Sequence, residues 1–322
     1  MKKIVLTMAM CASVMFASAQ LIKNDFLAGY SSGQSLEKGA YAGTDQPTTE
    51  IKVNQWNLSG KTGANDQSTD SSSPEVVASL TYDGYVDSDK DVAIDLLKLP
   101  TGGRTSVYSM ANDDTYGAGT YYLAFMFNVT VASPTTGHEF LALDGNFTGN
   151  AQRARFGVKG IAETENYQIG ISGSASAPST FSGEFAYGTT YLAVMKVVLV
   201  GDGTGTATLY LNPSLTGAES AATAFATVAI EGTALKSIRG LALRQRSTLA
   251  AQLGGFRLAS SWELALGQGS TGVKQTPVDK GNIVATSYYT LTGVEVQEPA
   301  NGVYIQKATF ENGAVETTKI IK

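Results

Sequence analysis

Apolar residues along this chain recur at a spacing of two, and seldom at the three-to-four spacing of a helix. Short runs rich in Val, Tyr, Phe, Leu and Thr alternate with clusters of Gly, Asn, Asp, Ser and Thr. That pattern reads as strands separated by turns. The clearest runs are 121–131, 140–143, 167–171, 191–200, 207–211 and 238–246. In 191–200 both alternating series are mostly apolar: Leu192, Val194, Lys196, Val198 and Val200 on one side, Ala193, Met195, Val197 and Leu199 on the other. A strand of this kind sits centrally with both faces covered. It runs into Gly201-Asp202-Gly203-Thr204-Gly205, whose glycines supply the positive φ of a tight reversal. The returning strand 207–211 stops at Asn212-Pro213, because proline has no N–H for the ladder. Residues 218–226 are alanine-rich but short, and read as a loop holding one helical turn.

The two ends differ from the rest. Residues 1–19 carry Lys2 and Lys3, then an uncharged apolar stretch, then Ala17-Ser18-Ala19 before Gln20. This is the form of a secretory signal peptide cleaved between Ala19 and Gln20. The stretch is short of the ~20 apolar residues a membrane helix needs, so no transmembrane segment is expected. Cys11 lies inside it and follows Met10, where a lipoprotein signal would place a small residue. Residues 60–74 are polar and read as a loop. Residues 266–274 form a Gly/Ser/Thr linker between a body, 20–267, and a tail, 268–322. The expected fold is all-β: a two-sheet jelly-roll sandwich followed by a small β module.

Composition narrows the chemistry. The single Cys and single His leave no intrachain disulfide and no four-ligand Cys/His zinc site. Net charge is −5, and loss of Lys2 and Lys3 makes it more negative. A basic footprint for nucleic acid is therefore missing. An acidic mature chain without thiols suits an extracellular or outer-membrane-surface location.

The tail reads as successive hairpins with turns at Thr292-Gly293, Pro299–Gly302 and Asn312-Gly313. Tyr289-x-Leu291-x-Gly293, then Gly302-Val303-Tyr304-Ile305, then Lys319-Ile320-Ile321-Lys322 resembles the C-terminal sorting domain of type IX secretion in Bacteroidetes. The resemblance covers about 50 residues and implies the secretion machinery as a partner. A small β module packed on the body is the alternative.

The body carries Gly33-Gln34-Ser35-Leu36, Leu80 to Tyr85, Leu209-Tyr210-Leu211-Asn212-Pro213 and Gly255-Phe256-Arg257-Leu258 leading to Trp262. This succession resembles the bacterial concanavalin A-like lectin/glucanase jelly roll, similar to laminin-G-type modules. The resemblance implies that the first and last strands pair, with residues 25–28 beside 256–260. It also implies extracellular glycans as candidate ligands.

Fold does not fix function, which rests on the individual sites. A retaining glucanase of this architecture usually carries Glu-x-Asp-x-(x)-Glu on one strand, and no such run exists. Glu163 and Glu165 read as a solvated turn. His138, after the turn Pro134–Gly137, reads as a loop or strand-edge histidine, and no Gly-x-Ser-x-Gly elbow accompanies it. Asp87-Ser88-Asp89-Lys90-Asp91 fails the EF-hand pattern, which leaves only an irregular Ca²⁺ site open; otherwise no cofactor is implied. Asp144-Gly145-Asn146 could bind Ca²⁺ or a sugar hydroxyl, or simply turn a hairpin. Trp56 could stack on a sugar or lie in the core, and Trp262 reads as core. Arg153 with Arg155, and Arg244 with Arg246, are spaced by two and so share strand faces. They suit either an acidic glycan or local carboxylates. The expected ligand-binding residues are thus Trp56, Asp144 and Asn146. The sequence is read as a secreted or surface, non-enzymatic sandwich that binds carbohydrate or adheres. Its alternatives are a structural surface protein and a glycoside hydrolase.

Overall fold

The computed structural model describes residues 19–37, 53–58, 73–85, 92–97, 99, 103–110, 116–146, 151–175, 179–268, 283–290, 293–297, 299–300, 302–310 and 315–321. The chain divides into two compact units, Met1–Thr271 and Gly272–Lys322. Most of the expected signal peptide and linker, residues 86–91 and Lys322 lie outside the described residues.

The first unit begins with β1 (Leu21–Lys23), β2 (Gln55–Leu58), β3 (Glu75–Ala78), β4 (Val92–Asp95) and β5 (Gly103–Ser109). Next come β6 (Gly119–Val131), β7 (His138–Asp144), β8 (Gln152–Gly160), β9 (Asn166–Ser172) and β10 (Thr180–Ala186). It ends with β11 (Thr190–Leu199), β12 (Gly205–Leu211), β13 (Ala226–Ile230), β14 (Gly240–Arg246), β15 (Ala250–Ala259) and the short helix α1 (Trp262–Ala265). These strands make two antiparallel sheets. One runs β13-β12-β11-β6-β15-β4-β3, with β1 also paired to β15; the other runs β10-β9-β8-β7-β14-β5-β2.

The sheets enclose an aromatic core. Phe125 and Phe127 of β6 meet Phe156 of β8 with ring centroids 5.1 and 5.0 Å apart, and Phe140 of β7 meets it at 5.4 Å. Burying such rings is the main favourable term in holding the layers together. Strand β11 lies between β12 and β6. Ala193, Met195 and Val197 enter this core, while Leu192 and Val194 enter a second cluster on the opposite face. That explains its two apolar series. The hairpin after it turns at Gly201 and Gly203, with φ of +90° and +105°. Asp202 accepts hydrogen bonds from the Thr204 amide and hydroxyl.

First and last strands do pair, but four residues earlier than expected: Leu21 opposes Ala259 and Lys23 opposes Leu258. Residues 26–29 instead form a turn. Phe26 is drawn between the layers, where its ring meets Tyr108 at 4.9 Å and Phe256 at 5.9 Å.

The outer face of the eight-stranded sheet is roofed. Trp262 packs on Tyr210 at 5.0 Å and Tyr122 at 6.1 Å, and its indole N–H donates to the Gly217 carbonyl. The loop 213–225 contains one 3-10 turn, Glu219–Ala221. Glu219 ties it down, accepting from the Tyr122 and Tyr210 hydroxyls and from Lys196.

The second unit is a four-stranded sheet ordered β17-β16-β18-β19, from β16 (Ile283–Thr290), β17 (Glu295–Val296), β18 (Val303–Phe310) and β19 (Val315–Ile321). Gly293 turns β16 into β17 at φ +85°. Register brings Ile305 between Tyr289 and Lys319, and Tyr304 between Thr290 and Ile320.

Candidate functional site: the outer face of the seven-stranded sheet

Strand alternation sorts the two faces of this sheet. Leu241 and Leu243 of β14, and Phe156 and Val158 of β8, enter the core. Ala242, with its cross-strand neighbours Val107 and Ala142, forms a separate buried cluster on the outer side. Arg244 and Arg246 share the face of Ala242, because β14 pairs with β5 in unbroken register: Arg244 opposes Thr105 and Arg246 opposes Gly103. A Cβ on Gly103 would overlap the Arg246 guanidinium, so this glycine leaves room for the arginine to lie across β5.

Arg153 and Arg155 depart from the simple spacing of two. The register of β7 against β8 shifts between Leu141 and Leu143, and Ala154 adopts φ +49°. This bulge sends Arg153 aside, where Nε donates to the Glu231 carbonyl at 2.8 Å. Arg155 is buried and meets Glu139 of β7, with Nη1 3.5 Å from Oε2. It also donates to the Ser172 hydroxyl on β9. The second oxygen of Glu139 accepts from the amide and hydroxyl of Ser179, at 3.0 and 3.1 Å. One carboxylate thus joins β7, β8 and the segment entering β10.

Arg244 and Arg246 have no side-chain hydrogen bond or ion pair among the described residues, although both are half-buried. Burial pulls the Arg244 pKa below its ordinary value, and the charges of Arg246 and Arg155 pull it further. Among the described residues the Glu139 carboxylate pairs directly with Arg155 and acts on Arg244 only through its charge. His138 opens β7 at the rim, its Nε2 2.8 Å from the Thr248 hydroxyl. Burial lowers its pKa below 6.5, helped by Arg246 and Arg244 and opposed by Glu139.

The expected ligand residues are not brought together. Trp56 is fully buried, edge-on to Tyr108 at 5.5 Å, and its indole N–H donates to the Phe26 carbonyl. It has no face for a sugar, which corrects that assignment. Its inward position on β2 puts the large ring in the core. Asp144 is also fully buried, and its carboxylate accepts the Ala151 amide at 3.1 Å. That is hairpin chemistry, and it closes the loop in which Asn146 sits half-buried. Asp144 opposes Gly240, which opposes Ser109, which opposes Gln55 beside Trp56. Trp56 and Asp144 are thus three strand spacings apart, about 14 Å. They also point to opposite faces. Among the described residues no three His, Cys, Asp or Glu side chains cluster as metal ligands, and residues 87–91 lie outside that set. Glu163 and Glu165 are exposed at a turn.

Glu139, Ser179 and Phe181 were not singled out from sequence. Their one linear signal was the alternation that pairs Ser179 with Phe181, and it says nothing of which strand lies alongside.

No family model and no curated protein matches this chain. Solved structures of similar fold include alginate lyase Aly36B, 15% identical with a TM-score of 0.34, covering 54% of this chain and 85% of that one. The globular domain of T. cruzi calreticulin is 10% identical with a TM-score of 0.38, covering 66% and 86%. The endo-beta-1,4-glucuronan lyase of the fungus Trichoderma reesei is 8% identical with a TM-score of 0.36, covering 59% and 87%. These values bear on the β-sandwich alone. Lyases stand among these similar structures, and the expectation of a non-enzymatic protein is withdrawn. The missing Glu-x-Asp-x-(x)-Glu run excludes one hydrolase design and does not exclude catalysis.

Proposed function

We propose that the outer face of the seven-stranded sheet takes a uronic-acid polysaccharide, and that the protein cleaves it by elimination. The observation that carries this reading is Arg244 and Arg246: half-buried, on one strand face, and without partners among the described residues. Cations withdrawn from water without a partner are costly, and functional sites are where such costs are retained. A sugar carboxylate supplies the partner, since guanidinium grips it through two parallel hydrogen bonds. Neutralising that carboxylate also acidifies the C–H beside it. His138 opposes Val158, so it stands at the rim beside the arginine face rather than on it; kept neutral near pH 7, it is the proton acceptor of this reading. The C–O bond to the next sugar then breaks, a C=C bond forms in the ring, and the leaving oxygen takes a proton from water.

The test is incubation with polygalacturonate and polymannuronate, reading the ultraviolet absorbance of the unsaturated acid alongside binding. The expected result is rising absorbance in the native protein. Arg244→Ala loses both binding and product, and His138→Ala binds without product. Binding with no new absorbance overturns elimination. A native protein that binds neither polymer overturns the site.

We also propose that the protein is exported through its N-terminal signal and routed by its tail to the type IX machinery. Support comes from the pattern of residues 1–19 and from the motif residues Gly302 to Ile305. Fractionation with and without residues 272–322 tests the routing. Unchanged surface or medium localisation on truncation defeats it.

A further inference from the structure

Phe181 stands apart from the other aromatic residues of the first unit. It belongs to neither core cluster and meets no other ring among the described residues, yet it is only half-exposed. Its strand β10 pairs with β9 so that Phe181 opposes Gly170, and Gly170 opposes Gly157 of β8. Val158 and Ile169, neighbours of these glycines, enter the core, so Gly157, Gly170 and Phe181 share the outer face.

The bed under the ring consists of glycines. A Cβ on Gly170 would lie 3.0 Å from the ring, and one on Gly137 would overlap it. Gly137 directly precedes His138, and Ser179, two residues before Phe181, holds Glu139. One-residue slippage later in β10 completes the arrangement. The register shifts between Ser182 and Phe185, and Gly183 takes φ +72°. Phe185 is thereby returned to the inner aromatic group, 5.4 Å from Tyr191. The bulge thus divides one strand's two phenylalanines between the faces.

We propose that the Phe181 ring is a stacking platform for a pyranose, on the same sheet face as the arginine subsite and four strand spacings, about 19 Å, from it. A sugar's C–H-rich face carries partial positive charge and matches the negative face of an aromatic ring. The ligand is then a chain, with one acidic residue at Arg244 and Arg246 and another sugar on Phe181. Strands β9, β8 and β7 intervene, and β7 and β8 present Glu139 and Arg155 to the segment between them. This inference rests on the acidic-polysaccharide reading above and extends it to chain length.

Phe181→Leu keeps an apolar side chain of similar size on the glycine bed and removes the ring, whereas Phe181→Tyr keeps the ring. Titration of tetragalacturonate and of monomeric galacturonate against native protein and both variants separates the outcomes, with urea midpoints confirming folding. We expect Phe181→Leu to weaken tetragalacturonate binding about tenfold. It should leave the monomer's affinity unchanged, and Phe181→Tyr should bind like the native protein. Native-like binding of tetragalacturonate by folded Phe181→Leu overturns the platform and leaves the arginine subsite standing. Loss of tetramer binding in Arg244→Ala, with native binding intact, keeps the parent reading separately in view. A native protein that binds neither probe overturns both.

Discussion

Arg155 Nη1 lies 3.5 Å from Glu139 Oε2 across the β7–β8 pair, with side chains 6% and 13% exposed. The contact divides the cations of this face into two kinds: Arg155 is paired with a carboxylate, and Arg244 and Arg246 have no hydrogen-bond or ion-pair partner among the described residues. Removing one member of a buried pair strands the other charge, so Glu139→Ala should cost about 3 kcal/mol of folding free energy. Urea denaturation reads this directly. A loss below about 1 kcal/mol would mean that Arg155 reaches water and that the clasp is superficial.

The rim histidine makes stability depend on pH. Burial and the arginine charges hold the His138 pKa below 6.5 in the folded state. The unfolded chain therefore binds the proton more tightly. The native state keeps its full stability above the ordinary value and loses it as pH falls through about 6.5 and below. His138→Gln should flatten this part of the profile, as measured by thermal melts from pH 7.5 to 5. A parallel slope in both proteins would assign the dependence to other groups.

Trp56 tests the split between core and ligand roles. Its full burial and its bond to the Phe26 carbonyl predict that Trp56→Ala costs about 3–5 kcal/mol. The milder Trp56→Phe should fold and bind polygalacturonate as the native protein does. Weakened binding in that variant would return Trp56 to the site.

Glu163 occupies an exposed turn at φ +60°, a conformation disfavoured for any residue with a Cβ. Glu163→Gly should raise stability by about 1 kcal/mol and leave glycan binding unaltered. A drop in stability would show that the carboxylate contributes more than the strain costs.

Much of the fold was legible in the sequence. The two apolar series of β11, the Gly-Asp-Gly reversal after it and the single turn at Glu219–Ala221 all appear where the pattern put them. Tail strands β18 and β19 also follow the local pattern of apolar runs and turns. The shift of the first strand was not legible, because Phe26 looks like a strand residue until a space between Tyr108 and Phe256 is known. Arg153 and Arg155 looked equivalent, and the bulge at Ala154 separated them. An alanine at φ +49° leaves no mark in the sequence of the kind a glycine would.

The sequence by itself determined the period, the strands, the tight turns and the poverty of thiol and imidazole chemistry. These follow from backbone geometry acting over a few residues. Tertiary structure alone decided which polar groups meet. Glu139 reaches Ser179, 40 positions away, and Arg246 lies across Gly103, because cross-strand register brings distant segments within 5 Å or so of each other. A one-residue slip would exchange the faces and dissolve the site. The register is held by the aromatic core around Phe156, so the candidate site on the outer face is set by packing on the inner one.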